Sequence, residues 1–145
     1  NMNLINETRY YTSNPNKIVY MTAALGIVLD KTKNTQQFFG GGSTEQTVGH
    51  NDDITALAVS PDRELVATGQ VGKDPIICIW RASTCEKIAQ FKQGRDTRAV
   101  KAIGFDRTGQ RIATVGADND YSVFVFDLKG KKLAETKVNI SKLVI

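Results

Sequence analysis

The chain has 145 residues, 41% apolar and 23% charged, with three prolines, a composition that excludes disordered and fibrous classes. Its 19 basic and 15 acidic residues leave a net charge of +4, too mild for the dense basic stripe of a nucleic-acid binder. No run reaches the roughly 18 apolar residues that a membrane helix needs, and no basic-then-apolar leader stands at the start, so neither a membrane span nor a secretion signal is read.

Short strand-like segments follow one another along the chain. Residues 18–30 are rich in Val, Ile, Leu and Ala, and a polar turn follows at Lys31-Thr32-Lys33-Asn34. A short run then ends at Phe38-Phe39, and Gly40-Gly41-Gly42 breaks it. Residues 54–60 lead into a turn at Pro61-Asp62-Arg63, 65–69 into a turn at Gly72-Lys73-Asp74, and 75–80 form the next apolar stretch. Residues 87–91 follow. Turn residues every eight to twelve positions mark an all-β protein. Residues 99–105 could pass for a helical turn, but Gly104 and the β-rich surroundings argue for a strand.

The pattern repeats. Thr68 and Thr114, Asp74 and Asp120, and Trp80 and Phe126 are each separated by 46 residues. Residues 49–93 read as one unit and 94–138 as its degenerate copy. Residues 1–48 read as an incomplete first unit carrying the glycine-rich loop, and 139–145 as the first strand of a following one. A period in the forties with four strands per unit is the signature of a β-propeller blade. Such rings close with roughly four to eight blades. About three blades' worth of chain is therefore expected to be part of a larger propeller, completed by further sequence or by another subunit.

The motifs Gly49-His50, Ser60-Pro61-Asp62, Ala67-Thr68-Gly69, Asp74 and Ile79-Trp80 resemble the WD-repeat family. That resemblance implies a hydrogen-bonded network inside one blade, on His50, Thr68, Asp74 and Trp80. In the second unit Asp96 stands where the histidine should be and Phe126 replaces the tryptophan, so an intact network is not expected there. Arg81 replaces the Asp of the WD dipeptide. A narrower resemblance covers nearly the whole chain. Ala23-Ala24-Leu25-Gly26-Ile27-Val28-Leu29-Asp30, Gly49-His50-Asn51-Asp52-Asp53-Ile54 and Val66-Ala67-Thr68-Gly69-Gln70 are similar to segments of the echinoderm microtubule-associated protein-like family. So are Gly94-Arg95-Asp96-Thr97-Arg98-Ala99-Val100 and Lys132-Leu133-Ala134-Glu135-Thr136-Lys137. The resemblance implies a microtubule-associated scaffold in the cytoplasmic cytoskeleton, including cilia and flagella, with tubulin and axonemal proteins as partners. A generic WD-repeat adaptor in a signalling or trafficking complex is the alternative.

The residues offer little catalytic chemistry. His50 is the one histidine, and neither a multi-histidine metal site nor a Gly-x-Ser-x-Gly nucleophile elbow accompanies it. Gly40-Gly41-Gly42-Ser43-Thr44 lacks the lysine of a phosphate loop, and Glu45 would repel phosphate. Asp52-Asp53 reads as a turn cap. Asp118-Asn119-Asp120 lacks the glycine and distal glutamate of a calcium loop. Cys78 and Cys85 are spaced too far apart for a metal knuckle or a redox pair, and both read as reduced thiols of a cytosolic protein. The sequons at Asn6 and Asn139 then read as chance. No enzyme activity, metal or cofactor is expected. Candidate partner contacts are Phe39, Gly41 and Ser43 beside the glycine loop, and the basic turn of Lys129, Lys131 and Lys132.

Overall fold

The computed structural model describes residues 10–40, 49–94, 97–118 and 121–137. Among them are twelve strands and no helix long and apolar enough to cross a membrane. The strands form three four-stranded antiparallel sheets, each a meander of consecutive strands. The first sheet holds β1 (Tyr10–Tyr11), β2 (Lys17–Thr22), β3 (Leu25–Asp30) and β4 (Thr35–Phe39). The second holds β5 (Ile54–Val59), β6 (Leu65–Gln70), β7 (Ile76–Arg81) and β8 (Lys87–Lys92). The third holds β9 (Val100–Phe105), β10 (Arg111–Gly116), β11 (Ser122–Asp127) and β12 (Lys132–Lys137). This is a partial propeller of three blades. The first unit, expected to be incomplete, has four strands, the first only two residues long in the described part. The expected strand at 139–145 lies outside the described residues.

The 46-residue repeat reappears in the backbone. A register shift falls at Ile79/Trp80 in the β7–β8 pair and at Val125/Phe126 in the β11–β12 pair. The β5–β6 turn reaches positive φ at Arg63 (64°), and the β9–β10 turn does so at Gly109 (74°). In the first of these turns the Ser60 hydroxyl donates to Asp62 Oδ1 and accepts the Leu65 amide at 3.0 Å. The Ser60 hydroxyl, with the Glu64 amide, holds the Asp62 carboxyl below its ordinary value. That local chemistry is what the Ser-Pro-Asp motif supplies.

Blade packing explains the apolar runs. Val19, Val28 and Phe39 of the first blade pack on Leu57, Val66, Cys78 and Trp80 of the second. On the opposite face of the second blade, Ala56, Ala67, Ile77 and Ile79 pack on Val100, Ile112, Phe124 and Phe126 of the third. The middle blade is therefore covered on both faces, and β7 reads Ile76-Ile77-Cys78-Ile79-Trp80 without polar alternation. In the third blade, β11 alternates buried and half-buried residues, and outermost β12 is exposed along its length. Close approach between blades demands glycine. A Cβ on Gly26 would stand 2.6 Å from Trp80 Cζ2, and one on Gly69 would stand 2.5 Å from Val100 Cγ1. Blade-to-blade hydrogen bonds run from the Ile54 amide to the Ala23 carbonyl (2.8 Å) and from the Thr55 hydroxyl to the Val100 carbonyl (2.7 Å).

Candidate functional site

The most developed polar constellation lies inside the second blade. Strand alternation places Val66, Thr68 and Gln70 on one face of β6. Register pairs Thr68 with Cys78 and Val66 with Trp80 on β7. The Trp80 indole N–H donates to Thr68 Oγ1 at 3.2 Å, and the same hydroxyl meets His50 Nε2 at 2.7 Å. His50 Nδ1 lies 2.9 Å from Gln70 Oε1. The Gln70 amide nitrogen donates to Asn51 Oδ1 at 2.6 Å, which fixes that amide's orientation. The directions then follow from the partners. Gln70 Oε1 can only accept, so His50 carries its proton on Nδ1, and the Thr68 hydroxyl donates to bare Nε2 while accepting from the indole. Burial holds the His50 pKa below 6.5, against the opposing effect of the Gln70 bond. A second proton on the ring would put two donors on Thr68 Oγ1 and leave its own hydrogen without an acceptor.

His50, Thr68 and Trp80 thus share one chain of hydrogen bonds, and Asp74 does not. Its place beside the imidazole is filled by Gln70. Asp74 sits exposed in the β6–β7 turn at φ 52°. The signal for Gln70 was its spacing of two from Thr68. Gly49, at φ 115°, brings His50 over the Phe39 ring, and a Cβ there would stand 3.1 Å from Phe39 Cε2.

Phe39 is a correction as well. Expected as a partner contact, it is 1% exposed and stacks on Trp80 with ring centroids 4.9 Å apart and planes 2° from parallel. The exposed ring is its neighbour Phe38, at 51%, since successive strand residues face opposite sides. Gly41 and Ser43 lie outside the described residues. Lys129, Lys131 and Lys132 are exposed at the β11–β12 turn. Asp127 Oδ1 accepts the Lys129 and Lys131 amides, both at 2.9 Å. Lys132 Nζ lies 3.5 Å from Glu135 and 5.0 Å from the centre of the Phe124 ring.

The third blade keeps a remnant of the network. Thr114, the repeat partner of Thr68, donates to Gln93 Oε1 at 2.7 Å, so Gln93 takes the part of the histidine. Asp96, aligned with His50 by spacing, lies outside the described residues, as does Asp120. Elsewhere, Asp52 caps the Asp53 amide at 2.8 Å, and Asp118 accepts the Ser122 amide at 2.9 Å. Among the described residues no group of three or more His, Cys, Asp and Glu could hold a metal ion. Burial pushes the Cys78 thiol up to about 12 and raises that of Cys85, so neither is a ready thiolate. Both are free thiols. The arrangement ties β6, β7 and the entry to β5 together within one blade.

The sequence profile of the family "WD domain, G-beta repeat" matches residues 42–81, the stretch that holds the His50, Thr68 and Trp80 chain. Over 137 residues the protein is 41% identical to the ciliary WD repeat-containing protein ctxp80 of Euplotoides octocarinatus, covering 88% of this chain and 19% of that protein. It is 34% identical to the 77 kDa echinoderm microtubule-associated protein of Strongylocentrotus purpuratus, covering 83% of this chain and 18% of that one. It is 33% identical to the human echinoderm microtubule-associated protein-like 1, covering 82% and 15%. The chain is a WD-repeat homologue of the echinoderm microtubule-associated proteins. It spans under a fifth of the length of these curated relatives. Among solved structures, U3-55K superposes with a TM-score of 0.72 at 20% identity, covering 89% of this chain and 38% of that one. The RRP9 WD40 repeats give 0.68 at 19% identity, covering 89% and 37%. These two likenesses establish the WD-propeller fold of the WD-repeat homologue described here.

Proposed function

We propose that this chain is part of a non-catalytic propeller scaffold that binds tubulin and microtubules in the cytoplasmic cytoskeleton, in a ciliary or flagellar axoneme. The observation that carries the reading is the 41% identity, over 88% of the chain, to a protein named as ciliary. Relatives named as microtubule-associated support it. The physics is consistent with a scaffold. The His50, Thr68 and Trp80 chain is buried within the second blade, where it ties strands together, and turns and outer strands are left for partners. Lys129, Lys131 and Lys132 are the proposed contacts to an acidic protein surface, with the net charge of +4 favouring encounter. Axonemal proteins other than tubulin are further proposed partners.

The test is co-sedimentation of the full-length protein with microtubules at low and at moderate salt. Pelleting that weakens with salt is expected. No pelleting in either condition, together with localisation away from microtubules, would overturn the proposal in favour of a general WD-repeat adaptor.

A further inference from the structure

The face of the second blade that meets the third is built from Ala56, Ala67, Ile77 and Ile79, all buried. Each has a counterpart 46 residues on: Ala102, Ala113, Val123 and Val125. Register gathers these four on one face of the third blade. Ala113 pairs with Val125, and Val115 pairs with both Val123 and Ala102. The alternate residues Ile112, Phe124 and Phe126 pack on the second blade, so this face is the one turned away from it. The third blade thus repeats the apolar face that, one blade earlier, is a blade-to-blade contact. Among the described residues it is exposed at Ala102 and Ala113 and half-buried at Val115, Val123 and Val125. Arg111 and Asp127, at one end of it, are opposite in charge and paired in register.

The two blade boundaries show how such a face is filled. In each blade the second residue of the third strand pairs with a residue of the second strand. In the first blade that pair is Gly26 and Met21, and the Trp80 ring lies over the glycine. In the second it is Ile77 and Gly69, and Val100 lies over the glycine. Each face therefore carries a notch that takes a side chain of the next blade. A Cβ at Gly26 or Gly69 would stand 2.6 or 2.5 Å from its occupant, so a single methyl closes the notch. In the third blade the pair is Val123 and Val115, and neither is glycine. At the same blade spacing no side chain of the size of Trp80 or Val100 fits over it. Lys101 is the counterpart of Thr55, whose hydroxyl donates to the Val100 carbonyl of the following blade at 2.7 Å, so a hydrogen-bond donor is retained at that place.

We infer that this face is the seat of a further WD-type blade of the full-length protein, one that presents a small side chain over the Val115 and Val123 pair. The occupant is named by the face itself: its counterparts in the second blade are covered by a blade, and the blades follow one another in chain order. The curated relatives are more than five times as long as the part this chain matches, which leaves ample chain for such a blade. The missing notch makes this boundary selective, because a blade with a bulky residue at that level is kept out by the two valines. The inference rests on the propeller fold and does not depend on the microtubule reading.

The test is alkylation of the native full-length protein by N-ethylmaleimide, read site by site by peptide mass spectrometry. Ala113→Cys and Val125→Cys are expected to react at least about tenfold more slowly than Leu133→Cys on the exposed outer strand, because covered thiols react only through opening. Val125→Cys shortens the side chain, so it keeps the fold should Ala113→Cys not. The slow rates are expected to be unchanged on dilution. Rates equal to that of Leu133→Cys would show the face open and overturn the inference. Protection that fades on dilution would assign the face to a second copy or another subunit and overturn it too. The size match is read by hydrogen exchange. Val115→Ala and Val123→Ala are each expected to speed exchange at the β10 and β11 amides about tenfold or more, since a small covering side chain cannot refill the gap. Unchanged or slower exchange would mean that a larger side chain presses there, and the size match would fall.

Discussion

Replacing Thr68 by valine tests the buried chain most directly. Valine matches threonine in shape, so the perturbation is the loss of one hydroxyl. That hydroxyl donates to His50 Nε2 at 2.7 Å and accepts from the Trp80 indole at 3.2 Å. Thr68 and Trp80 are fully buried and His50 is 2% exposed, so solvent cannot replace the lost partner. Each unsatisfied buried group costs about 1–3 kcal/mol. The long indole bond argues for the lower end there, and the short imidazole bond for the middle. We expect a loss of about 2–4 kcal/mol for Thr68→Val. Thr68→Ser keeps the hydroxyl and deletes one methyl, a cost of about 1 kcal/mol. Urea unfolding of the full-length protein measures the difference. Native-state hydrogen exchange at the β6 and β7 amides assigns the loss to this blade where several blades unfold together. A valine variant no less stable than the serine variant would show that the hydroxyl chain contributes nothing, and the reasoning would fail.

Acid should expose the same chain differently. Because burial lowers the His50 pKa below 6.5, the unfolded chain binds the extra proton first. Stability is then full above pH 6.5 and falls as pH drops below it, by at most about 1.4 kcal/mol per pH unit, until the folded pKa is reached. His50→Gln should abolish that slope in a pH series of urea midpoints. Asp30 and Asp127 are held below the ordinary 3.8, the first chiefly by the Thr32 hydroxyl and the second by the Lys131 amide, so their contribution is lost only at lower pH. Phe39→Ala should cost about 3–5 kcal/mol and Phe38→Ala about 0.5 kcal/mol or less, read as paired shifts of the unfolding midpoint. Equal shifts would contradict the burial assigned to Phe39. Gly26→Ala should cost about 1–3 kcal/mol by driving a methyl into the Trp80 ring, and near-neutral behaviour would mean that the blades separate easily.

Much of the architecture was legible in local chemistry. The 46-residue offsets marked paired blades because a blade cannot cover its own faces and must be copied to be buried. The Ser60-Pro61-Asp62 turn closes on its own side chains, which needs no distant partner. The break between β2 and β3 was less visible. Residues 18–30 carry no Gly-Pro turn signal at the bend, yet the chain turns at Ala23 with φ 49°. What holds that conformation is the Ile54 amide of the next blade, bonded to the Ala23 carbonyl. A long-range contact overrode a local preference worth about 1–2 kcal/mol.

The composition, the repeat and the His50, Thr68 and Trp80 set together determined a WD-type propeller segment, because periodic burial and a blade's internal hydrogen bonds leave their mark in residue order. Only the tertiary structure decided which groups complete the network and which surfaces remain. Gln70, not Asp74, reaches His50, since the choice between two polar groups depends on where each side chain ends in space. Phe39 is core and Phe38 is exposed for the same reason: strand parity separates neighbours in sequence, and the packing of one blade on the next sets which parity is inside.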